Sequence, residues 1–403
     1  MEIRPILSSI LRNRLGAILV ATQIAVTMAV LCNAGFLAFD RLQTMLRPTG
    51  LDVEHAFSVD VINFGDGFDF RADIPLDIEA IEAIDGVRAV TTINSIPLSG
   101  GGWGESLNTH LDEEAEDARD EQGNIYMIDE HGIDALGVAL VAGRNFTAAE
   151  IQWREARSSD MPAVIIVTQA MADSLFPEGD AIGQTVYSGD NPMEIVGIVE
   201  RMFGSWVSWD RVGNTMLAAG RNMGQMGRFI VRSEPGQLDA VMPLVEQALT
   251  ERYPERVVRN VTSLKEHMAG SYADDRTAAV VLLVIICLLL IVTGLGIVGL
   301  VSFLVNQRTK QIGTRRALGA QRWDVVRYFL VENWLITSIG LSFGLILTSV
   351  LNYYLVQNFE LPRLPLWYLP VGLMGIWALS LTASFGPARR AARVAPAIAT
   401  RTV

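Results

Sequence analysis

A glycine pattern typical of nucleotide sites occurs in the segment GLGIVG, where Gly294, Gly296 and Gly299 match G-x-G-x-x-G. Such glycines approach a dinucleotide pyrophosphate when a strand precedes them, a helix begins after them and an acidic residue follows about 20 residues later. Here they lie inside a nearly continuous apolar run, residues 278–305. We therefore interpret them as a helix-packing surface, since glycines let membrane helices approach closely.

Other residues that could carry chemistry lack the partners that this chemistry needs. The loop SGGGWG, residues 99–104, has no Lys-Ser or Lys-Thr of a P-loop and is predicted to be flexible. The acidic run 112–121 lacks the spacing and turn glycine of a calcium loop, which favours a solvated loop. The 4 His are scattered, and Cys32 and Cys287 lie in apolar runs. A membrane enzyme is therefore the least favoured class, and no metal or cofactor is predicted in this chain.

The remaining candidate for function is a basic segment, residues 306–332, between two long apolar runs. Its apolar residues, such as Ile312 and Leu318, alternate with arginines in a pattern that predicts a helix along the membrane surface. Gly319 is typical of a helix C-terminal stop, and Asp324 of the first turn of a new helix. The alternatives are a basic loop that only sets topology and a docking element for a cytoplasmic partner.

The elements that position this segment are apolar. Half of the residues are hydrophobic and the mean hydropathy is +0.30, which is high for a soluble protein and indicates a lipid bilayer as surroundings. Four runs are long enough to span a hydrocarbon core of about 30 Å: residues 15–39, 278–305, 334–356 and 366–385. The third contains Gly340 and Gly344, a G-x-x-x-G pattern typical of helix packing. The first is too long for a signal peptide and predicts an uncleaved anchor.

A large polar insert, residues 40–276, separates the first two spans. Short or alternating apolar runs predict strands at 57–62, 163–167, 194–199 and 228–231. Apolar residues at helical spacing predict helices at 76–84 and 238–253. The predicted fold class is thus a membrane protein with four transmembrane α-helices and a large α+β extracytoplasmic domain, of two subdomains, inserted between helices 1 and 2.

The charge distribution predicts the orientation. The insert holds 18 basic and 40 acidic residues, whereas the flanks 1–14, 306–327 and 389–401 hold 13 basic and 2 acidic residues. Short segments rich in arginine stay cytoplasmic. Both termini and the basic segment are therefore predicted to be cytoplasmic and the insert periplasmic. An acidic insert also argues against nucleic acid as a partner.

Several motifs carry a resemblance to a known family. QIGTRRALGA, residues 311–320, followed by FLVENW, residues 329–334, resembles the E-I-G-x-R-R-A-L-G-A…F-L-x-E motif of MacB/FtsX-type ABC transporter permeases. PARRAARVAP, residues 387–396, is similar to the ending of that family. LVAGRNFTAAE, residues 140–150, and the segments 163–186 and 194–199 resemble the MacB periplasmic core domain. The resemblance covers essentially the whole chain.

The resemblance implies three regions, an N-terminus with helix 1 at 1–39, a MacB-like periplasmic core domain at 40–276 and an FtsX-like domain at 277–403. It implies a multi-pass inner-membrane permease, paired with a second copy or a paralogue. A separate cytoplasmic ABC ATPase would bind ATP and Mg, and its motion would pass through the spans by mechanotransmission. Residues 306–330 would be the coupling segment, with the ATPase contact at Arg315, Arg316, Ala317, Leu318, Gly319 and Ala320.

Two departures from the family pattern and two functions remain. Gln307 and Gln311 stand where the family typically has Glu, which implies a variant ATPase surface or a specialised partner. One function is export or extraction of a periplasmic substrate, for which a periplasmic adaptor and an outer-membrane channel would be further partners. The other is FtsX-like signalling to an extracytoplasmic partner without moving cargo. The size of the insert favours export.

Overall fold

The chain divides into two compact units in a computed structural model. The structure describes residues 14–393 except 65–66, 113–114, 116, 156–157, 224–225 and 254. The membrane unit comprises residues 1–46 and 274–403, and the outer domain comprises residues 47–273. Arg4 and Arg12 of the predicted N-terminal flank, and the end of the PARRAARVAP motif from residue 394 onward, lie outside the described residues.

The helices and strands follow one another along the chain without long irregular stretches. The helices are α1 Arg14–Met45, α2 Phe70–Glu82, α3 Gly132–Leu136, α4 Gln169–Leu175, α5 Leu238–Arg252, α6 Leu264–Ser271, α7 Ala273–Gln307, α8 Thr309–Ala317, α9 Arg322–Phe359 and α10 Tyr368–Ala391. The strands are β1 Ala56–Asn63, β2 Val87–Thr92, β3 Gly104–Asn108, β4 Asp120–Ile128, β5 Leu140–Gly143, β6 Gln152–Glu155, β7 Val164–Thr168, β8 Thr185–Ser188, β9 Asn191–Val199, β10 Thr215–Met223, β11 Met226–Ser233 and β12 Arg256–Ser263.

Four helices, α1, α7, α9 and α10, are long and apolar enough to cross a membrane, which confirms the predicted fold class. Each is longer than its predicted span. α1 continues to Met45, α7 begins at Ala273, α9 begins at Arg322 and α10 continues to Ala391. Hydropathy marks only the part of a helix that lies in hydrocarbon, whereas the backbone hydrogen bonds continue through polar residues beyond it.

Glycines bring α1 and α9 into close contact in the membrane unit. A Cβ added at Gly340 would lie 2.7 Å from the Ala21 carbonyl oxygen, and one at Gly344 would lie 2.8 Å from Met28 Cβ. The predicted pattern therefore lies at a helix contact. On α7, a Cβ at Gly296 would meet the Gln23 side chain at 2.5 Å.

The other two glycines of the GLGIVG segment are less crowded. A Cβ at Gly294 would make an ordinary contact, 3.9 Å from Leu379 Cδ1, and one at Gly299 would have no described heavy atom within 4 Å. All of these glycines lie inside the continuous helix α7, so the strand that a dinucleotide site requires does not precede them.

The outer domain contains two sheets with separate hydrophobic cores. The small sheet is antiparallel, in the order β12-β1-β11-β2, and α2 and α5 cover it through buried residues such as Ile78 and Val245. The mixed sheet follows the order β4-β3-β8-β9-β7-β10-β6, with β5 beside β9. β10 also pairs with β4, so six of these strands close into a ring and leave few unpaired edges.

All four predicted strands and both predicted helices occur in the outer domain. The first helix begins at Phe70, before the predicted start at residue 76. Pro75 suggests a helix boundary in the sequence, yet it lies in the second turn. Asp69 provides the actual start, since its side chain accepts a hydrogen bond from the Arg71 backbone N–H at 2.9 Å.

Ion pairs fix two parts of the outer domain. Arg256 and Asp77, with side chains 0% and 1% exposed, are joined at 2.6 Å beside α2 and α5. In the GRNFTAAE segment, the Arg144 guanidinium donates to both oxygens of Glu150, at 2.6 and 2.9 Å. These hydrogen bonds lower the pKa of Glu150 to about 2. This part of the family-like motif therefore stabilises the local structure of the loop that contains Arg144 and Glu150.

The two polar loops singled out in the sequence are attached to the domain. In the SGGGWG loop, the Gly100 backbone N–H donates to the Ser205 carbonyl at 2.9 Å, and just before the loop the Leu98 carbonyl accepts a hydrogen bond from Ser271. The acidic run 112–121 ends inside β4, which begins at Asp120, and three of its residues lie outside the described ones.

Candidate functional site

The predicted coupling segment folds as a short helix, a tight turn and the start of α9. α8 ends at Ala317, and Gly319 takes a left-handed conformation with φ of 102°. The Gly319 N–H donates to the Arg316 carbonyl at 3.2 Å, and the Ala320 N–H donates to the Arg315 carbonyl at 3.1 Å. This pair of bonds is the Schellman closure that a glycine permits.

The next helix begins immediately after the turn. The Gln321 backbone N–H donates to Asp324 Oδ2 at 3.0 Å, and the Gln321 side chain accepts a hydrogen bond from the Asp324 backbone N–H in the first turn of α9. This reciprocal arrangement is a capping box, which fixes where α9 begins. The helix stop at Gly319 and the helix start near Asp324 are therefore both present as the sequence predicted.

One face of the segment is buried in the membrane unit. Ile312 on α8 and Phe329 on α9 are 6% and 2% exposed, and both belong to one apolar cluster with Val326 and with Ala388 and Ala391 of α10. Because this face is packed against α10, the segment is held in one orientation, and the residues on its opposite face are held in place with it.

A buried ion pair joins the end of α7 to α9. Arg308 Nη1 donates to both carboxylate oxygens of Glu332, at 3.1 and 2.8 Å, and the Glu332 side chain is 2% exposed. Charge-assisted hydrogen bonds of this kind are short and strong, and separating the pair would leave a buried, unpaired carboxylate, which is strongly unfavourable in free energy. The joint between α7, α8 and α9 is therefore stiff.

The predicted contact arginines are positioned by neighbouring groups. The Arg315 guanidinium lies over the Tyr328 ring, 5.5 Å from its centre. Arg316 Nη1 donates to the Ala392 carbonyl at 2.8 Å and is half-buried, as Ala320 is. Arg315 remains exposed. The structure thus presents Arg315 to solvent while Arg316 also attaches the segment to the end of α10.

Two large apolar side chains project from the turn. Leu318 is 84% exposed, and Trp323, in the first turn of α9, is 59% exposed. Ala317 and Gly319, on either side of Leu318, are exposed as well, and a Cβ at Gly319 would meet no described heavy atom within 4 Å. Leu318, Gly319 and Trp323 form what we call the turn surface. Exposed leucine and tryptophan side chains surrounded by arginines are suited to binding a protein partner.

Sequence reasoning missed three features of the site. Trp323 is an aromatic residue in a first helical turn where polar residues are expected, a signal that could have been used. Arg308 and Glu332 are 24 residues apart and carry no local pattern. At the outer end of the membrane unit, Arg41 of α1 forms an ion pair with Asp275 of α7, and neither residue is marked by a motif.

Comparison with protein families agrees with this architecture. The model of the MacB-like periplasmic core domain matches residues 24–250, more than half of the chain, and the model of the FtsX-like permease C-terminal domain matches residues 283–396. The chain belongs to the MacB/FtsX-type permease family. The predicted coupling segment of this permease, with Arg308 and the turn surface, lies inside the FtsX-like match, as does Glu332.

Relatives of this MacB/FtsX-type permease include macrolide export ATP-binding/permease proteins. MacB of Chromobacterium violaceum is 25% identical in an alignment 394 residues long, gaps included, that covers 89% of this chain and 58% of that protein. MacB 1 of Yersinia pestis bv. Antiqua is 25% identical in an alignment 359 residues long that covers 85% of this chain and 52% of that protein. The chain thus spans about half the length of these relatives.

Two solved structures resemble part of the permease. The extracellular domain of the noncanonic ABC-type transporter YknZ is 15% identical, with a TM-score of 0.32, and covers 50% of this chain and 100% of its own. The periplasmic region of MacB from Actinobacillus actinomycetemcomitans is 16% identical, with a TM-score of 0.32, and covers 52% of this chain and 90% of its own.

Proposed function

We propose that this permease docks an ATP-hydrolysing partner through the turn surface and passes the movement of that partner through its membrane helices to the outer domain. The outer domain would then export or extract a periplasmic substrate. The observation that carries the proposal is the exposure of Leu318 and Trp323 on a base held by the Arg308–Glu332 pair. A docking surface has to combine exposed anchors with a rigid support.

Transmission needs stiff connections, and α1 and α7 supply them. At 1.5 Å per residue, the 32 residues of α1 and the 35 residues of α7 are about 48 and 52 Å long. A hydrocarbon core is only about 30 Å thick, so both helices continue well beyond it. Thr27 and Thr293 share a hydrogen bond of 2.7 Å, and Arg41 pairs with Asp275, so α1 and α7 are joined at two levels.

A second permease copy, or a paralogue, is part of the proposal. α7 is apolar from residue 278 to residue 305, yet most of the side chains in this stretch are not buried within the membrane unit. Its exposed side chains, among them Leu288, Ile291 and Leu295, need lipid or another helix as surroundings.

The proposed orientation places both termini and the turn surface in the cytoplasm and the outer domain in the periplasm. The supporting observation is the concentration of arginines in the segments next to the spans. In a background without Cys32 and Cys287, Asp190→Cys is expected to react with an impermeant thiol reagent added to intact cells, and Gln321→Cys only after lysis. The reverse labelling would contradict the orientation.

Co-purification tests the docking itself. The full chain, isolated from its native membrane, is expected to bring with it a protein that hydrolyses ATP. Leu318→Glu places a charge at the centre of the turn surface and is expected to abolish this association without changing membrane insertion. An equal yield of the ATP-hydrolysing protein with wild type and Leu318→Glu would contradict docking at this surface.

A further inference from the structure

A groove in the outer domain lies where the chain crosses between its two sheets. One cavity of about 190 Å³ is lined from α2, from the end of β2, and from β4, β6, β10 and β11. A second cavity of about 330 Å³ adjoins it and shares Asn94, Trp103 and Arg228 with it. We call the two cavities together the crossing groove. Its size lies in the range of small-ligand sites, which are of the order of 300–1,000 Å³.

One wall of the crossing groove is aromatic and apolar. Trp103, Trp153, Phe70 and Ile74 line it, and Trp103 is 46% exposed. Trp153 comes from β6 of the mixed sheet, whereas Phe70 and Ile74 come from α2 on the small sheet. An apolar group bound here would therefore touch both sheets and lose its contact with water.

The smaller cavity is also lined by guanidinium N–H groups that are held in place but do not all have a hydrogen-bond partner among the described residues. Arg221 donates from Nε and Nη2 to Asp129 Oδ2, at 3.2 and 3.0 Å, and its guanidinium lies 5.6 Å from the centre of the Trp153 ring. An arginine has five N–H donors. Nη1 of Arg221 makes no hydrogen bond to the described residues, so this edge of a fixed guanidinium is available to a ligand.

Arg228 repeats this arrangement in the part that both cavities share. Its Nε donates to Asp60 Oδ1 at 3.1 Å, and its Nη1 donates to the Asn94 carbonyl at 2.6 Å. Its Nη2 meets only the Met226 sulfur, at 3.5 Å, among the described residues. A thioether is a weak acceptor, so Nη2 would donate preferentially to a carboxylate.

Each cavity also has a hydroxyl group without a partner. Thr92 lines the smaller cavity and Ser95 the larger one, and both hydroxyl oxygens are buried without a hydrogen bond to the described residues. Ser95 is 5% exposed. Buried hydroxyls normally have a partner, and a ligand with an amide or carboxylate group would supply one.

We infer that the crossing groove binds an acylated apolar amino acid with a free carboxylate, either as a free compound or as the C-terminal residue of a polypeptide. The carboxylate accepts from Arg221 and Arg228, the amide meets the free hydroxyls, and the apolar side chain lies on Trp103 and Trp153. A ligand in this position bridges the two sheets of the outer domain. Binding in the crossing groove does not require an ATPase at the turn surface.

The test uses the full chain in lipid nanodiscs and two probes that differ only in charge, N-acetyl-phenylalanine and its neutral C-terminal amide. The carboxylate probe is expected to bind at least about tenfold more tightly by calorimetry, because charge-assisted hydrogen bonds are the stronger ones. An acetylated pentapeptide ending in phenylalanine distinguishes the sources, since tighter binding than the single residue assigns the groove to polypeptide C-termini and equal binding assigns it to a free compound.

Variants locate the binding. Arg221→Lys keeps a positive charge beside Asp129 but removes the guanidinium edge, and it is expected to remove the preference for the carboxylate probe. Arg232→Lys is the control, since Arg232 pairs with Asp52 at 2.7 Å, has a side chain 17% exposed against 14% for Arg221, and lies outside the groove.

Three results would overturn the inference. They are no saturable binding of either probe, equal affinity for the carboxylate and the amide, and an effect of Arg221→Lys no larger than that of Arg232→Lys. Thermal unfolding of both variants shows whether they are folded. If Arg221→Lys is unfolded, Trp103→Ala at the exposed rim takes its place, with Trp209→Ala outside the groove as its control, and an equal effect of these two would likewise overturn the inference.

Discussion

The turn surface makes a quantitative prediction for the substitution Leu318→Ala. Full burial of a leucine side chain stabilises a complex by about 1.5–3 kcal/mol. Leu318 is 84% exposed, so nearly all of this gain is available to a partner. Alanine keeps the Cβ atom, and the expected loss is therefore about 1–2 kcal/mol, or about 5- to 30-fold in the dissociation constant.

The control is another leucine of equal exposure. Leu366 is 82% exposed and lies in the loop between α9 and α10, which the proposed topology places on the periplasmic side of the membrane. The ATP-hydrolysing partner recovered with the chain is titrated against wild type, Leu318→Ala and Leu366→Ala in nanodiscs. Both variants should unfold at the wild-type temperature, because neither side chain is packed. Equal affinities for Leu318→Ala and Leu366→Ala would refute the assignment of the turn surface.

Three further predictions concern the supporting structure. Asp77→Asn leaves Arg256 buried without its carboxylate and should lower the free energy of unfolding of the outer domain by about 3–5 kcal/mol in urea, whereas Glu54→Gln, whose side chain is 59% exposed, should change it little. Gly340→Ala should lower the unfolding temperature of the membrane unit, because its Cβ would lie 2.7 Å from a backbone oxygen, and Gly299→Ala should not. Arg144 lowers the pKa of Glu150, so the ionised carboxylate stabilises the folded state. The difference in the free energy of unfolding between wild type and Glu150→Gln should therefore be largest above pH 4.5 and be lost as the pH falls through about 2; a difference that does not change with pH in urea unfolding would contradict this.

The parts of the fold that depend on one stretch of sequence were predictable. Spans follow from runs of apolar residues, and the stop at Gly319 follows from the conformational freedom of glycine, so both were located correctly. The closing of the mixed sheet through β4 and β10 was not predictable, because it joins Thr215 to Asn124, which are 91 residues apart in the sequence (215 − 124). The alternation of apolar residues in a strand shows which side chains face the core, but it does not show which distant strand is the partner.

The same distinction applies to the predicted coupling segment. Its residues were located by a motif, but a motif does not say which side chains face solvent. Arg315 and Arg316 are adjacent, yet Arg315 is exposed and Arg316 donates to the end of α10. That difference arises from packing against a helix that lies some 75 residues away in sequence, at Ala392. Charge-reversal variants chosen from the motif alone would not distinguish a residue that contacts a partner, such as Arg315, from one that also holds the segment in place, such as Arg316.

The helices of the membrane unit are packed to different degrees, and this difference bears on how the proposed movement of the ATPase would pass between them. α1 and α9 meet through glycines at backbone distance, so they move together. α7 is instead joined to α1 at separate points, including Thr27–Thr293 and Arg41–Asp275, and to α9 through Arg308–Glu332. In the proposed mechanism, a displacement of α8 would reach both α7 and α9, because Arg308–Glu332 joins them at the α8 end. Because Arg41 and Asp275 lie at the outer ends of their helices, we expect that pair to decide whether α1 follows α7 when the outer domain moves.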